Sequence, residues 1–202
     1  MKLYYSPGAC SLSVHITLHE AGMAFTPIAA PTKTHKLPDG TDYYSINPLG
    51  YVPLLELGDG TRLTEGPAIV QYIADQVPDK KLAPANGTLA RAQMQSWLNF
   101  ISTELHKGFS PLFNPATPAE YKTIAIDKLL SRLKWVDGEL VGKQYLMGDD
   151  FSVADPYLFT VTNWAPRVGV DISGFANIAT FRERMLTRPA VQTAMRHEGL
   201  LK

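Results

Sequence analysis

Along the first 80 residues, short β-prone runs alternate with stretches of helical spacing. Lys2 to Tyr5 predicts a strand, closed by Ser6-Pro7-Gly8. From Cys10 to Ala21, the positions of Leu12, Val14, Ile16, Leu18 and Ala21 predict a helix, and Gly22 stops it. Phe25 to Ala29 predicts a second strand, and Thr32 to Asp42 is polar and irregular. Val52 to Leu57 predicts a third strand, entered through Pro53. Gly58-Asp59-Gly60 has the composition of a hairpin turn, so Arg62-Leu63-Thr64 pairs back as a fourth strand. Pro67 then suits the first position of a helix carrying Ala68, Ile69, Tyr72 and Ile73. This alternation is that of an α/β unit over residues 1–80.

The texture changes at Pro78 to Gly87, which is rich in turn formers, and residues 81–87 form a linker. From 88 to 202 only helical spacing recurs. Leu89 to Leu105 places Trp97, Leu98, Ile101 and Leu105 on one stripe; Tyr121 to Leu140 does the same with Leu129, Leu130, Leu133 and Val136. Pro111, Pro115 and Pro118 separate these two helices. Val153 to Trp164 is apolar enough to be a buried central helix. Ile178 to Leu186 and Ala190 to His197, split by Pro189, complete an all-helical domain.

Composition removes several function classes. The 202 residues include 19 basic and 19 acidic side chains, so the chain has no electrostatic footprint for nucleic acid or an anionic membrane. No run approaches the length of a membrane span, and the N-terminus meets Ser6-Pro7-Gly8 before a signal-peptide core can form. The expected location is cytoplasmic. Cys10 is the one cysteine, which excludes an intrachain disulfide.

Three features carry candidate chemistry. Cys10 follows a strand-to-helix turn, where unpaired N–H groups and the helix dipole favour a thiolate; the alternative is a small packing residue. Ser13 stands where a Cys-x-x-Cys motif has its second cysteine, so disulfide chemistry here needs an external thiol. Val52-Pro53 opens a strand with a residue that lacks an N–H. Either the bond is cis and turns the Val52 backbone toward an extended ligand, or Pro53 is a trans edge residue. Glu65-Gly66 lies at a second strand-to-helix turn. Glu65 either holds an ammonium group beside N–H groups that hold a carboxylate, or caps the following helix. His15 and His19 lie four apart on the first helix, but no third ligand is evident. They read as ordinary helix residues and no metal is expected.

Together, Cys10, Val52-Pro53 and Glu65-Gly66 resemble the glutathione site of glutathione transferases. Asn99 and the run Thr103-Glu104-Leu105-His106-Lys107 resemble the bacterial beta-class segment that faces the glutathione sulfur. Phe151-Ser152-Val153-Ala154-Asp155 is similar to the family's buried capping box, and Arg188-Pro189-Ala190-Val191 also matches. The resemblance spans the whole chain. It implies a thioredoxin-like domain followed by a helical bundle, glutathione as cosubstrate, a hydrophobic electrophile as second substrate, and a homodimer. Cys10, His35, Val52, Pro53, Glu65, Gly66, Asn99, Thr103, His106 and Lys107 are then the glutathione contacts, with Cys10 and His106 catalytic.

Trp164, one to two turns from Tyr157, is either a wall of the electrophile pocket, which the resemblance places in the helical domain, or a core residue. The chain departs from the family at His35, where a basic residue such as lysine is usual, and at Gly66, where a serine is usual. Tyr5 and Ser11 are close in sequence to the site without forming a compelling substitute for Cys10. In the capping box, Ser152 is expected to accept from the Asp155 N–H while Asp155 reaches back to Ser152. Two rival readings remain: a glutathione-dependent isomerase, dehalogenase or thiol-disulfide oxidoreductase, and a non-catalytic binding protein on the same fold.

Overall fold

A computed structural model describes all 202 residues. They form two compact units, one of Met1–Ala83 with Thr187–Lys202 and one of Pro84–Leu186. No helix is long and apolar enough to cross a membrane.

The first unit runs β1 (Lys2–Tyr5), α1 (Ser11–Ala21), β2 (Thr26–Ala29), β3 (Leu54–Glu56), β4 (Arg62–Leu63) and α2 (Gly66–Gln76). The strands make one mixed sheet in the order β2-β1-β3-β4. β1 and β2 run parallel with Leu3 opposite Pro27, whereas β3 is antiparallel to β1 with Leu3 opposite Leu55. β3 and β4 pair antiparallel, Leu55 opposite Leu63. This is a thioredoxin-like arrangement. Glu56 sits opposite Lys2 on one side and Arg62 on the other, and it pairs with both, at 2.8 and 3.1 Å.

α1 is enclosed on all sides, with every residue from Ser11 to Leu18 buried. A helix so placed cannot leave its polar groups unpaired, and each hydroxyl finds a carbonyl. Ser11 Oγ donates to Ser6 O at 3.3 Å, Ser13 Oγ to Cys10 O at 2.7 Å, and Thr17 Oγ1 to Ser13 O at 2.8 Å. Gly22 ends the helix at φ 67°, with Met23 N–H reaching back to Leu18 O. The irregular segment after β2 is pinned by Leu37 and Tyr43, which join Tyr4, Ala30, Val52 and Leu54 in one cluster. Tyr43 is fully buried and its hydroxyl donates to Tyr51 O at 2.9 Å; burial pushes its pKa up to about 12.

The last helix, α8 (Pro189–His197), belongs to this unit and not to the helical domain that the sequence spacing suggests. The reason is local. Arg188 grips Glu20 at 2.6 and 2.9 Å, and Glu198 is buried against His15 at 2.9 Å, so the end of the chain is tied to α1.

The second unit contains α3 (Leu89–Phe100), a π-helical turn at Ile101–His106, α4 (Lys107–Phe113), α5 (Ala119–Glu139), α6 (Ala154–Thr162) and α7 (Ala176–Thr187). The single helix expected from Leu89 to Leu105 thus continues beyond it through a wider turn, in which Lys107 N–H bonds Ser102 O five residues back. The buried residues Met94, Leu98, Ile101, Leu105 and Phe109 advance by four, three, four and four. That step is slower than 3.6, and the wide turn absorbs the excess. Pro111 lies inside α4 and does not separate helices, a role left to Pro115 and Pro118.

α6 is buried throughout. The capping arrangement ahead of it differs in detail from the expected box. Asp155 Oδ2 accepts from the Ser152 N–H at 2.7 Å and from Ser152 Oγ at 3.1 Å, while Oδ1 accepts from Leu146 N–H at 2.9 Å. The Asp155 N–H goes to the Ser152 carbonyl, not to its hydroxyl. Asp137 on α5 holds the start of α7 in a similar way, accepting from Ile178 N–H at 2.9 Å and Asn177 Nδ2 at 3.0 Å.

Candidate functional site

In the first unit, all three sequence features meet at one end of the sheet. Cys10 is the N-cap residue of α1 and half-buried. The turn before it is fixed by Ala9 N–H to Ser6 O (3.0 Å), by Ser6 N–H to Ser11 Oγ (3.1 Å) and by Gly8 N–H to Glu198 Oε2 (2.8 Å). Gly8 is at φ 68°, a conformation in which a side chain would be strained. The Cys10 thiol donates to the Val52 carbonyl at 3.1 Å. The Val52-Pro53 bond is cis. Of the two bond geometries open to this dipeptide the structure has the cis one, and the Val52 carbonyl faces Cys10.

Glu65 precedes α2 at φ 64°, ψ 106°, and its side chain makes no cap hydrogen bond. The capping alternative therefore fails. A non-glycine residue in this region costs about 1–3 kcal/mol and is held there by its surroundings. Gly66 is packed beside the other two features: a Cβ placed on it would stand 3.8 Å from Pro53 Cγ and 4.0 Å from Ser13 Oγ. Ser11 and Tyr5 are engaged elsewhere, Ser11 in the Ser6 turn and Tyr5 against the His15 ring at 5.4 Å.

His35 is held by its own loop. It has φ 50°, its ring lies 4.5 Å from that of Tyr44, and its Nδ1 is buried without a partner. Gly50 (φ 67°) makes room for this stack, since a Cβ there would lie 2.7 Å from the Tyr44 ring and 3.0 Å from His35 Nδ1. The expected carboxylate contact of His35 is thereby restricted to its Nε2 edge.

In the second unit, Asn99, Thr103, His106 and Lys107 lie along α3, the π turn and the start of α4. Asn99, Thr103 and Lys107 are exposed, and Thr103 Oγ1 donates to Asn99 O at 3.0 Å. Glu104 points elsewhere, pairing with Arg132 at 2.7 Å and Lys128 at 3.6 Å on α5. His106 is largely buried; its Nδ1 is 2.7 Å from Tyr157 Oη, and its ring meets Trp164 edge-on at 4.8 Å. Trp164 is 5% exposed, with Phe109 and Phe113 also edge-on at 5.7 and 5.6 Å. It packs in the core behind His106. Tyr157 is the member of this group whose role the sequence did not single out, because a hydroxyl inside an apolar helix gives no spacing signal. The unit also holds a cavity of about 430 Å³ between α3 and α5, lined by Trp97, Phe100 and Trp135 among others.

Burial lowers the His106 pKa from 6.5 to about 4, with the Lys107 charge adding to the effect, so the ring is neutral at pH 7. An unfolded chain takes up this proton as pH falls below about 6.5, whereas the folded chain resists until about 4. Stability is accordingly lost across that window, by up to about 3 kcal/mol from this residue. Urea unfolding at pH 7 and pH 4.5 will show the parent losing about 2 kcal/mol more than His106→Asn, which keeps a partner for Tyr157. Equal losses in the two proteins would refute the assignment.

Comparison with known proteins agrees with this geometry at the level of family. Residues 8–76 match the family model for the glutathione S-transferase N-terminal domain, and residues 100–189 match that for the C-terminal domain. The chain is 48% identical over 200 residues to glutathione S-transferase GstA of Escherichia coli O157:H7, covering 99% of this chain and 100% of that protein. The structure of BphK, a bacterial GST in a ternary complex, superposes with a TM-score of 0.97 at 55% identity, covering 99% of this chain and 100% of that one. A sphingomonad glutathione S-transferase complexed with glutathione gives 0.95 at 44% identity, with 99% and 100% covered. The beta-class enzyme of Sphingomonas chungbukensis gives 0.96 at 45% identity over the full length of both chains. With both domain models matched and beta-class structures superposing end to end, the chain belongs to the glutathione S-transferase family and is of the bacterial beta-class type.

Proposed function

We propose that the protein conjugates the glutathione thiolate to hydrophobic electrophiles. The observation that carries this reading is the convergence of Cys10, cis-Val52-Pro53 and Glu65-Gly66, with the Glu65 carboxylate uncapped and exposed at the start of α2. An extended tripeptide uses such a site in parts. The Val52 backbone pairs with its central peptide, Glu65 with its γ-glutamyl ammonium, and N–H groups at the α2 N-terminus with the adjacent carboxylate. His35 and its lysine neighbours serve the glycine carboxylate, with Asn99, Thr103 and Lys107 as further polar contacts.

In the chemical step the glutathione thiol gives its proton to solvent, and the thiolate sulfur forms a bond to the electrophilic carbon as that carbon's bond to its leaving group breaks; with an aromatic halide the halide departs with the electron pair. His106, neutral and oriented by Tyr157, serves the sulfur as a hydrogen-bond donor and not as a cation. The electrophile is held by apolar side chains of the helical unit, and the working form is a homodimer in the cytoplasm.

Cys10 supports a second activity, thiol transfer. Its thiolate attacks the disulfide of oxidised glutathione, forming a Cys10–glutathione mixed disulfide and releasing one glutathione thiolate. The test compares Cys10→Ala with the parent, using calorimetry with reduced glutathione, a conjugation assay with an aromatic halide and mass spectrometry after oxidised glutathione. The variant will retain conjugation within about threefold and lose the mixed disulfide entirely. Loss of conjugation by a hundredfold or more would make Cys10 part of the transferase chemistry. Absence of glutathione binding by the parent at millimolar ligand would overturn the transferase reading itself.

A further inference from the structure

α1 and α8 bring together three histidines that the sequence holds far apart. His15 and His19 are four residues apart on α1, and His197 comes from the end of α8. One ring nitrogen of each lies within 4.8 Å of one from the others. The rings pack at centroid separations of 5.3, 5.4 and 5.7 Å, with His15 and His19 stacked and Phe25 edge-on to both. Two of these imidazoles have an unmet valence: Nε2 of His15 and Nε2 of His19 are buried without a hydrogen-bond partner. A buried nitrogen with no partner costs stability unless something fills the place, and an ion is one such filler.

We propose that His15, His19 and His197 form a site for a borderline divalent transition ion of the Zn²⁺, Ni²⁺ or Cu²⁺ class. Three neutral imidazoles are the donor set such ions prefer over hard-oxygen cations, and a fourth position stays open to water. A tetrahedral ion about 2.0–2.1 Å from each nitrogen needs donors about 3.4 Å apart, so the rings must close by roughly 1 Å. His197 is exposed at the end of its helix and is the ligand free to make that adjustment.

The surroundings are those of a metal-ligating histidine. Nδ1–H of the fully buried His15 donates to Glu198 Oε1 at 2.9 Å, and the other Glu198 oxygen is fixed by Gly8 N–H at 2.8 Å. A carboxylate on one nitrogen sets the tautomer, aims the other nitrogen as a lone pair and raises its basicity. The exposure of His197 supplies the entry path. This site shares no residue with the glutathione contacts and stands or falls independently of them.

The experiment uses the untagged full-length chain, without glutathione, whose thiol would chelate the metal. Calorimetry with Zn²⁺ and with Ni²⁺ will show one ion per chain, accompanied by a rise in melting temperature. His197→Ala and His19→Gln will each weaken binding at least about tenfold. Both positions are partly or fully exposed, so the variants fold. Cobalt(II) bound to the parent will lack a thiolate-to-metal charge-transfer band, which separates this site from capture by Cys10. No binding at millimolar metal, parent-like affinity in either histidine variant, or a thiolate band in the cobalt spectrum would each overturn the proposal.

Discussion

Replacing Asp155 with alanine will lower the unfolding free energy by about 3–5 kcal/mol, because it orphans two buried backbone N–H groups and one hydroxyl together. Asp155 and Ser152 are 0% and 3% exposed, so water does not replace the lost acceptor. The Leu146 contact adds a consequence that a simple helix cap would not have. Asp155 also anchors the loop before α6, so the variant frees both the loop and the helix start. For a chain of this length the melting temperature will fall by about 10 °C. Asp155→Asn keeps one acceptor oxygen and will fall between the parent and Asp155→Ala. Denaturant unfolding of the three proteins decides the matter, and a loss under about 1 kcal/mol in Asp155→Ala would mean that Asp155 acts only as an ordinary exposed cap does.

Glu65→Ala will weaken glutathione binding roughly 10- to 100-fold, the worth of one charge-assisted hydrogen bond, while leaving the fold intact. The carboxylate makes no cap bond that the fold would miss. A paired variant makes the result unambiguous. Glu65→Gly removes the same carboxylate but relaxes the φ 64° conformation, so it will be as stable as the parent or more so. If both variants lose affinity while Glu65→Gly keeps or gains stability, the strain at Glu65 serves the ligand. Calorimetry showing parent-like affinity in either variant would remove Glu65 from the site and leave the ammonium group of the tripeptide without its anion.

Much of this molecule is legible in the pattern of its residues, and the exceptions have physical causes. β1 runs from Lys2 to Tyr5 as the spacing predicts, and Gly22 ends α1 as its conformational freedom suggests. These are local effects. Cys10, Pro53 and Gly66 were also readable, because each stands at a turn where its type is unusual for packing alone. What the pattern could not show depends on long-range contact. Glu198 lies 183 residues from His15 and carries no periodic signal, yet it fixes the ring and the turn before Cys10. His197 completes a cluster that looked like a pair for the same reason. The wide turn at Ile101–His106 left no mark in the sequence, since apolar positions three and four apart fit a regular helix as well. The sequence left both roles of Trp164 open, because an aromatic residue on an apolar helix reads the same whether it faces a pocket or three other rings.

The return of α8 to the first unit also sets the order in which the protein can be made. Domains of a growing chain commonly fold in sequence, the N-terminal one first. Here the turn before Cys10 waits for Glu198, and α1 waits for Arg188, both synthesised after the whole of the helical unit. The sheet and α2 can assemble early, but the thiol-bearing turn stays unsecured until Glu198 has been made. A ribosome that stalls before Arg188 therefore releases a chain whose defect lies about 180 residues upstream, in the turn before Cys10.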